Sequence, residues 1–420
     1  MVEIAVPYGR SHVAFSLPDT ARVVVVKPAS VPGVEDQAGE VTRALDNALA
    51  ERPLPTEGDA VVVVSDPTRP VPNKTILPVL LDRMESAGIA RERITILVAS
   101  GLHEPASEAA LRELIGDDLF ERYKVVPHDA CDRENLVDMG TTTRGTPIWV
   151  NSIYAHSKIR VLTGLIEPHH FAGFAGGWKS LAVGVAGAET IAGSHALLLD
   201  PRSDLGVYEG NPTRAEIDEI GSRVGAELAV NVIVNNEKQI VAALAGTPDE
   251  VERAGVEMSA RITQVSVPHE FDVVVASPGG YPKDRNMYQA QKAVAHATGI
   301  VRRGGTIILV AECPEGSGNE KFEEWMAAAS SAEEVVERLG REGFQMGAHK
   351  AFLLARSMVK ARVLLVSDRM PLELGKKLML EQYTTVESAL ESTLARHGLS
   401  ATVAVMPKAS STVPRVVSAA

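Results

Sequence analysis

Two hydrophobic patterns alternate along most of the chain. Continuous runs of β-branched and aliphatic residues, such as AVVVVS at 60–65 and ITILVA at 94–99, are typical of strands that are buried on both faces of a sheet. Between such runs, apolar residues recur at the spacing of one helix face, as they do in 72–87. This alternation of strands and helices predicts an α/β fold with mostly parallel sheets.

The same patterns set the expected bounds of each element. Strands are predicted at 2–7, 12–16, 22–27, 60–65, 94–99, 124–127, 159–163, 228–235, 239–244, 273–276, 305–311, 362–366 and 401–405. Helices are predicted at 37–51, 72–87, 106–115, 213–223, 247–261, 286–298, 319–328, 332–340, 349–359 and 384–396, with a further short one ending near His195.

A change of composition at 266–272, SVPHEFD, marks the predicted domain boundary, because a proline and a change of charge precede a new buried strand. We expect an N-terminal α/β domain over 1–268 and a C-terminal α/β domain over 269–407. The tail at 408–420 is expected to return to the first domain as a strand. Each domain is predicted to have three layers, with an active-site cleft between the two.

Composition narrows the class of protein. The 420 residues carry a formal net charge of -12, which argues against non-specific binding to nucleic acid. The two cysteines, Cys131 and Cys313, form no CxxC pattern, which suits a reducing compartment. The N-terminal residues do not resemble a signal peptide, and no apolar run approaches the length of a membrane span. We therefore expect a soluble cytoplasmic protein that binds neither nucleic acid nor membrane.

Unusual polar sequences follow four of the predicted buried strands. In open α/β sheets, ligands bind beyond the carboxyl ends of the strands, so we expect these four stretches to converge on one glycine-lined cleft. The stretches are Asp66-Pro-Thr-Arg69, Gly101-Leu-His103, Glu167-Pro-His169-His170 and Pro278-Gly-Gly-Tyr-Pro-Lys283.

The segment 163–179, TGLIEPHHFAGFAGGWK, is too rich in glycine for a helix and too rich in aromatic residues for a flexible linker. It predicts a rigid loop that contacts a ligand. Lys179 is preceded by Trp178 and not by glycine, so the segment is not a phosphate-binding P-loop. Because adjacent side chains of an extended loop point to opposite sides, we expect His170 to be a bystander of His169.

Ordinary interpretations compete with each functional one. A single histidine such as His103 is more often a solvated loop residue, and Arg69 is as well explained by a surface position as by a carboxylate contact. Gln289 and Lys292 share one face of a predicted helix, which is usually solvated. The histidine spacings match no common zinc motif, and neither a complete GxGxxG nor HExxH occurs.

Taken together, these stretches resemble the nickel-pincer-nucleotide lactate racemase family. The resemblance spans about residues 5–408. It rests on SDPTRPVP at 65–72, ASGLH at 99–103, EPHHFAGFAGGWKS at 167–180, His195 and GGYPKDRNMYQAQK at 279–292. At Trp178 the chain departs from the many members that carry a basic residue there, which puts any phosphate contact from this position in doubt.

The resemblance implies a site in which a pyridinium-derived mononucleotide holds nickel in a sulfur–carbon–sulfur pincer. It implies that Lys179 is tethered to this cofactor through a thioamide, that His195 is the metal ligand, and that His103 and His169 are the catalytic acid and base. It also implies substrate contacts from Arg69, Gln289, Lys292 and His349, and cofactor contacts from Asp66, Gly176, Gly177 and Tyr288.

The function implied is racemisation or epimerisation of a 2-hydroxy acid through hydride removal and a 2-keto acid. A 2-keto acid is stable, whereas a carbanion beside a carboxylate is not, and hydride can return to either face of it. The partners implied are a small 2-hydroxy acid and the enzymes that build the cofactor. Two alternatives stay open from the residues alone: a metal-dependent hydrolase or lyase that uses the same histidines, and a non-enzymatic protein that binds an organic acid or nucleotide.

Overall fold

The computed structural model describes residues 2–417, so Met1 and the last three residues of the predicted tail lie outside the described chain. Residues 30–262 form one compact unit, here called the central unit. Residues 1–29 and 263–420 form a second, here called the terminal unit. The chain therefore begins in the terminal unit, builds the central unit, and then returns.

Every strand and helix can be placed in chain order. The terminal unit begins with β1 (Val2–Tyr8), β2 (Ser11–Leu17) and β3 (Arg22–Val25). The central unit contains α1 (Gln37–Glu51), β4 (Ala60–Ser65), α2 (Asn73–Ser86), β5 (Ile94–Ala99), α3 (Glu108–Ile115), α4 (Asp117–Arg122), β6 (Lys124–Pro127), β7 (Leu136–Thr141), β8 (Pro147–Asn151), α5 (Ser152–His156), β9 (Ile159–Leu165), β10 (Pro168–His169), β11 (Gly173–Phe174), α6 (Lys179–Ala182), α7 (Ala188–Ala196), α8 (Pro212–Val224), β12 (Leu228–Val234), β13 (Ile240–Gly246) and α9 (Pro248–Thr263).

The chain then completes the terminal unit. Its remaining elements are β14 (Gln264–Val267), β15 (Phe271–Ala276), α10 (Met287–Ala297), β16 (Val301–Val310), α11 (Glu320–Ala327), α12 (Ala332–Glu342), α13 (Ala348–Lys360), β17 (Arg362–Val366), α14 (Leu372–Lys377), β18 (Glu381–Tyr383), α15 (Val386–His397), β19 (Thr402–Met406) and β20 (Val413–Val416).

The central unit is built on a six-stranded sheet in the order β13-β12-β9-β4-β5-β6. All neighbours are parallel except β13, which pairs antiparallel with β12. The run Val61–Val64 at the middle of β4 is fully buried, as expected for a strand covered on both faces. Its side chains on one face pack with α1 and α2 in the main core of this unit.

The terminal unit has its own six-stranded sheet, in the order β18-β17-β16-β15-β19-β3, and every pair in it is parallel. Strand β3 from the start of the chain pairs with β19 near its end, with Val23 opposite Val403. The predicted α/β class with mostly parallel sheets is therefore confirmed in both units.

The division of the chain differs from the predicted one. Residues 1–29, which the sequence places in the first domain, belong to the terminal unit because β3 hydrogen-bonds along β19. The tail does return as a strand, β20, and pairs in parallel with β14. Strand β14, at Gln264–Val267, lies within residues 1–268 of the predicted first domain, but its contacts place it in the terminal unit.

Two antiparallel hairpins in the central unit have no counterpart in the hydrophobic pattern. Strands β7 and β8 pair around residues 142–146, and β10 and β11 form a second hairpin only two residues deep. Short strands of mixed polarity carry little periodic signal, which is why neither hairpin was predicted. The second of them shapes the glycine-rich loop.

Asp272 joins three strands of the terminal sheet. Its carboxylate accepts the Thr402 N–H and hydroxyl at 2.8 Å each, and the Arg302 Nε–H at 2.6 Å. Burial raises the pKa of Asp272, but the Thr402 and Arg302 contacts outweigh it and hold the pKa at about 2.

Replacing Asp272 with Asn should lower the free energy of unfolding by about 2 kcal/mol at neutral pH, since one pKa unit corresponds to about 1.4 kcal/mol. The folded-state pKa lies below the ordinary value of 3.8. The stabilisation is therefore present above that value and is lost as the pH falls toward about 2. Urea unfolding of both proteins across this range tests it, with the exposed Glu391→Gln as control. A difference that does not shrink on acidification would contradict the assignment.

Candidate active site

Three of the four polar stretches lie at one edge of the central sheet. They follow β4, β5 and β9, which are adjacent and parallel in the order β9-β4-β5. Parallel neighbours end at the same edge of a sheet, so the loops after these strands are brought together. The fourth stretch, at 278–283, follows β15 and belongs to the terminal unit.

His103 and Asp66 form a hydrogen-bonded pair across two of these loops. The His103 Nδ1 lies 2.8 Å from Asp66 Oδ2, and Thr68 Oγ1 donates to Asp66 Oδ1 at 2.8 Å. The Asp66 carboxylate is buried, whereas the His103 ring is 44% exposed. A carboxylate at Nδ1 favours the tautomer that carries its proton there, which leaves Nε2 as the proton acceptor. The sequence did not indicate that Asp66 orients this histidine.

The second histidine site is built on the short β10–β11 hairpin. His169 pairs with Gly173 across the hairpin, and its Nδ1 accepts the Ala172 N–H at 3.2 Å. The buried Phe171 ring lies edge-on to His169 at 4.7 Å and to His195 at 5.0 Å, measured between ring centroids. The Phe171 side chain therefore contacts both imidazoles. The His195 Nδ1 also lies 3.1 Å from Ser194 Oγ.

The expectation that His169 and His170 point to opposite sides is wrong. Their rings stack at 4.5 Å with planes 19° apart. The alternation holds for a continued strand, but β10 ends at His169 and the chain turns at once. His170 therefore packs on the ring that it was expected to avoid.

A tight turn with two left-handed glycines positions Lys179 at the start of α6. Gly176 and Gly177 have φ of +98° and +53°. A Cβ on Gly176 would lie 2.6 Å from Ile166 Cγ1, and one on Gly177 would lie 2.2 Å from Glu252 Oε2. Both glycines are therefore required by the protein packed beneath the turn.

Trp178, between these glycines and Lys179, is part of that packing. Its ring covers Gly221 on α8, where an added Cβ would lie 2.4 Å from the indole. Its Nε1 donates to Asp249 Oδ1 at 2.8 Å, and the side chain is only 4% exposed. The bulk and the indole N–H of Trp178 are thus accounted for by its packing on α8 and its contact with Asp249.

Lys179 lies in an environment that disfavours its charge. It is partly accessible to solvent, but the surrounding protein desolvates the amine. Burial lowers the pKa of Lys179 to about 7, with help from the nearby cations Arg69 and Arg214. Glu167 and Asp66 oppose this shift without cancelling it. A large fraction of the amine is therefore uncharged at neutral pH.

The predicted residues of the terminal unit lie on α10 and at the start of α13. Lys292 Nζ donates to Gln289 Oε1 at 2.9 Å, which confirms that the two share one helix face. The Tyr288 ring on the same helix lies 5.8 Å from Lys350 Nζ and 6.1 Å from the Phe322 ring.

His349 precedes Lys350, and both are 6% exposed. The sequence did not single out Lys350, although a buried lysine beside an aromatic ring is a candidate for anion binding.

Two features that could indicate other functions, a metal-binding cluster and a membrane-spanning helix, do not occur among residues 2–417. No group of three or more histidine, cysteine, aspartate or glutamate side chains in that range could hold a metal ion. No helix there is long and apolar enough to cross a membrane.

Comparison with known proteins identifies the family. Residues 8–206 match the lactate racemase N-terminal domain, and residues 267–413 match the lactate racemase C-terminal domain. A lactate racemase from Thermoanaerobacterium thermosaccharolyticum is 31% identical over 402 residues, which cover 93% of this chain and 94% of that protein. The chain belongs to the lactate racemase family.

Further comparisons agree with this lactate racemase assignment. A lactate racemase from Lactiplantibacillus plantarum is 30% identical over 421 residues, covering 97% of this chain and 98% of that protein. The solved structure of the lactate racemase apoprotein from Thermoanaerobacterium thermosaccharolyticum matches with a TM-score of 0.90 and 29% identity, over 99% of this chain and 100% of that one. A Thermotoga maritima protein, 18% identical with a TM-score of 0.69 over 90% and 98% of the two chains, shares the fold.

Membership confirms the expected resemblance and the prediction of an isomerase of the racemase class. The two matched domains also agree with two α/β units, although the contacts divide the chain at residues 30 and 263. The roles of the individual side chains stay predictions, and their geometry is the basis for the proposals that follow.

Substituting Gly177 with Ala should lower the free energy of unfolding by at least about 2 kcal/mol more than the same change at Gly210. Both glycines have positive φ, +53° and +72°, so both variants carry backbone strain. Only Gly177 adds a Cβ against Glu252, because no atom lies within 4 Å of a Cβ at Gly210. Urea unfolding measures the difference. Equal losses in the two variants would mean that the turn is not confined by Glu252.

Proposed function

We propose that this protein racemises or epimerises a small 2-hydroxy carboxylic acid, of which lactate is the first candidate. The reaction proceeds by reversible removal of hydride from carbon 2, through a 2-keto acid, with a nickel pincer nucleotide tethered to Lys179. Support comes from the family and from relatives that are named lactate racemase. The observation that carries the proposal is the environment of Lys179.

The residues at the site fit a covalently attached cofactor. An amine must be uncharged to attack an acyl group, and the pKa of Lys179 near 7 meets this requirement. Once converted to an amide, the side chain has no charge, which suits its desolvated position. The buried Asn231 beside the turn has an amide Nδ2 without a hydrogen-bond partner among residues 2–417. His195 would hold the nickel, since imidazole is a suitable ligand for that metal.

When bound, this group would accept hydride from the substrate carbon and return it to either face. The side chains of the chain itself then have to bind the carboxylate, orient the substrate and move the hydroxyl proton. We assign proton transfer to His103 and His169, as the resemblance to the family implies.

The two histidines present different ring atoms. His103, held by Asp66 at Nδ1, offers Nε2 as the acceptor for the hydroxyl proton. His169 accepts the Ala172 N–H at Nδ1, so its neutral ring carries the proton at Nε2. A proton returned to the substrate oxygen has to come from a ring that starts as imidazolium, because a neutral imidazole that lost its Nε2 proton would become an imidazolate. The histidine that starts neutral takes the hydroxyl proton and the one that starts protonated returns one, and these two protonation states exchange when the mirror-image substrate reacts.

Carboxylate binding is assigned first to Arg69. Arg69 is the charged group with the largest effect on Lys179, so its guanidinium lies in the same electrostatic environment. A guanidinium can bind a carboxylate in bidentate fashion and hold the keto acid until hydride returns. In the terminal unit, Gln289 and Lys292 are assigned to the substrate, Tyr288 to the cofactor and His349 to the substrate side chain. Asp66, Gly176 and Gly177 complete the cofactor contacts in this proposal.

The same proposal covers partners and location. The cofactor has to be supplied by dedicated biosynthetic enzymes, which are partners of the chain in this sense. The absence of a CxxC pattern among its two cysteines supports a cytoplasmic location.

The cofactor assignment is tested by the intact mass of protein produced together with the cofactor-building enzymes. A mass adduct should appear on the native chain, persist in the exposed Lys158→Ala control and be absent from Lys179→Ala. Protein that is active without adduct or nickel would exclude this proposal. Activity restored by simple metal salts would favour the hydrolase or lyase alternative, and tight acid binding without turnover would favour a binding protein.

The hydride route is tested with a single enantiomer that carries deuterium at carbon 2, incubated in ordinary water. Deuterium should be retained in the opposite enantiomer, because hydride does not exchange with solvent. Loss of deuterium to the solvent would show that the carbon is deprotonated instead.

The variants His103→Ala and His169→Ala should each lower the racemisation rate at least about 100-fold, as for other general acid–base residues. A panel of lactate, malate, phenyllactate, hydroxyglutarate and gluconate then identifies the substrate side chain.

A further inference from the structure

A group of charged side chains lies buried directly beneath the Lys179 turn. Arg214 on α8 is 2% exposed and Glu252 on α9 is 1% exposed, and their Nη1 and Oε1 atoms lie 2.5 Å apart. Arg214 also donates from Nη2 to Asp218 Oδ1 at 2.6 Å. None of these residues was indicated by the sequence, and none is required by the sheet of the central unit.

Three side chains, one of them the buried Glu252, contact the turn. Glu252 limits the space at Gly177, where a Cβ would lie 2.2 Å from its Oε2. Asn231 Oδ1 on β12 accepts the Gly177 N–H at 2.7 Å, and Asp249, one helical turn before Glu252, accepts the Trp178 indole N–H at 2.8 Å. Helix α6, which begins at Lys179, packs on α8. The turn is thus held by α8, α9 and β12 together.

Stability alone does not explain this arrangement. Removing two charges from water is unfavourable, and a well-packed apolar pair of similar volume is often at least as stable as a buried ion pair. In some proteins such a pair instead fixes the position of its neighbours. Here those neighbours are Gly177, whose space Glu252 limits, and the Lys179 amine, whose electrostatic environment includes Arg214.

The charge balance around the amine is set by four groups. The cations Arg69, after β4, and Arg214, on α8, disfavour the protonated amine, and the carboxylates Glu167, after β9, and Asp66, after β4, favour it. Burial raises the pKa of Glu252, and Arg214 opposes this shift. Burial lowers the pKa of Arg214, but Glu252 and Asp218 more than offset it, so that Arg214 stays charged. A permanent cation is therefore fixed beneath the turn.

We propose that Arg214, Glu252 and Asn231 are positioning residues for Lys179, which fix the Gly176–Lys179 turn and keep a cation beside the amine so that it stays uncharged and open to acylation. This inference rests on the proposed function, because the step it serves is the attachment of the cofactor to Lys179. In that step the neutral amine would bond to the thiocarboxyl carbon of the cofactor and the carbon–oxygen bond would break. The oxygen would leave as water, with one proton from the amine and one from solvent, so no oxidant or reductant is needed. It concerns the chain before the cofactor arrives, and it can be measured without the cofactor.

The electrostatic role makes opposite predictions for the two members of the pair. Removing Arg214 takes away a cation and should raise the pKa of Lys179 toward its ordinary value, leaving less neutral amine at pH 7. Neutralising Glu252 leaves Arg214 paired with Asp218 alone, and should keep the pKa of Lys179 the same or lower it. A merely structural role would instead disturb Lys179 in the same direction in both variants.

The test is trace acetylation of the full-length, cofactor-free protein with acetic anhydride across pH, with modification of each lysine read by peptide mass spectrometry. Exposed Lys158 serves as internal reference. Native Lys179 should show a midpoint near 7. In Arg214→Met the midpoint should rise by about one unit, and labelling at pH 7 should fall by roughly five- to tenfold. In Glu252→Gln labelling at pH 7 should not fall.

A matched control and a second variant keep the result decisive. Arg223→Met removes an exposed arginine of the same helix, together with its ion pair to Glu219, and should leave the midpoint unchanged. If Arg214→Met does not fold, the double variant Arg214→Met/Glu252→Gln also neutralises the more deeply buried of the two carboxylates that lose their partner, and it should show the same raised midpoint. An unchanged midpoint in whichever of these two variants folds, or a fall in labelling for Glu252→Gln, overturns the inference.

Asn231 is tested by the adduct itself. Asn231→Ala, produced together with the cofactor-building enzymes, should carry at least severalfold less Lys179 adduct than the native chain at equal soluble yield, because the turn loses its Gly177 contact. Equal loading would remove Asn231 from the proposal. If the labelling shifts hold but no adduct ever forms on the native chain, the proposed function fails and the positioning inference stands. If adduct forms but the labelling midpoints do not move, the positioning inference fails and the proposed function stands.

Discussion

Parallel pairing of β9, β4 and β5 is the constraint on which the candidate site depends. Strands that run in the same direction must leave the sheet at the same edge, and each must be followed by a connection that returns across a face. The loops after these three strands carry Asp66 and Arg69, His103, and His169 with Lys179. Their proximity is a consequence of topology, and no contact between the side chains is needed to create it.

Side-chain packing then sets the tautomers, ring positions and pKa values of the residues that the sheet brings together. Asp66 selects one tautomer of His103, and the short β10–β11 hairpin directs His169 toward Phe171, which also contacts His195. Desolvation and two arginines lower the pKa of Lys179 to about 7, so that a large fraction of the amine is uncharged at neutral pH. Each of these effects depends on distances of a few ångströms, because electrostatic interactions strengthen steeply where water is excluded. A modest change in the packing of α8 or α9 would therefore change the pKa of Lys179 without disturbing the sheet.

The two units use the same architecture in different ways. In the central unit, the candidate residues lie in loops beyond the strand ends. In the terminal unit, Tyr288, Gln289 and Lys292 lie on the first two turns of α10, and His349 and Lys350 lie at the start of α13. The backbone of a helix is fixed by its own hydrogen bonds, and residues three apart therefore lie on the same face. The Gln289–Lys292 contact could be expected from this spacing.

The sequence by itself determined the fold class, the buried strands and the residue types of the site. Apolar runs and helical periodicity report on local burial, and this information is contained in a few neighbouring residues. The motifs around Arg69, His103, His169 and Lys179 likewise stand in continuous stretches. They were sufficient to predict the family, which the comparisons confirm.

The tertiary structure alone decided what depends on residues far apart in the chain. The pairing of β3 with β19 moved the first 29 residues into the terminal unit, and no local pattern could reveal it. The same holds for Arg214, Glu252 and Asn231, which reach the Lys179 turn from α8, α9 and β12. The physical reason is that periodicity shows that a position is buried but not which partner it meets. The sequence predicts the turn as a ligand loop, and only the packing around it shows which charged groups act on the pKa of its lysine.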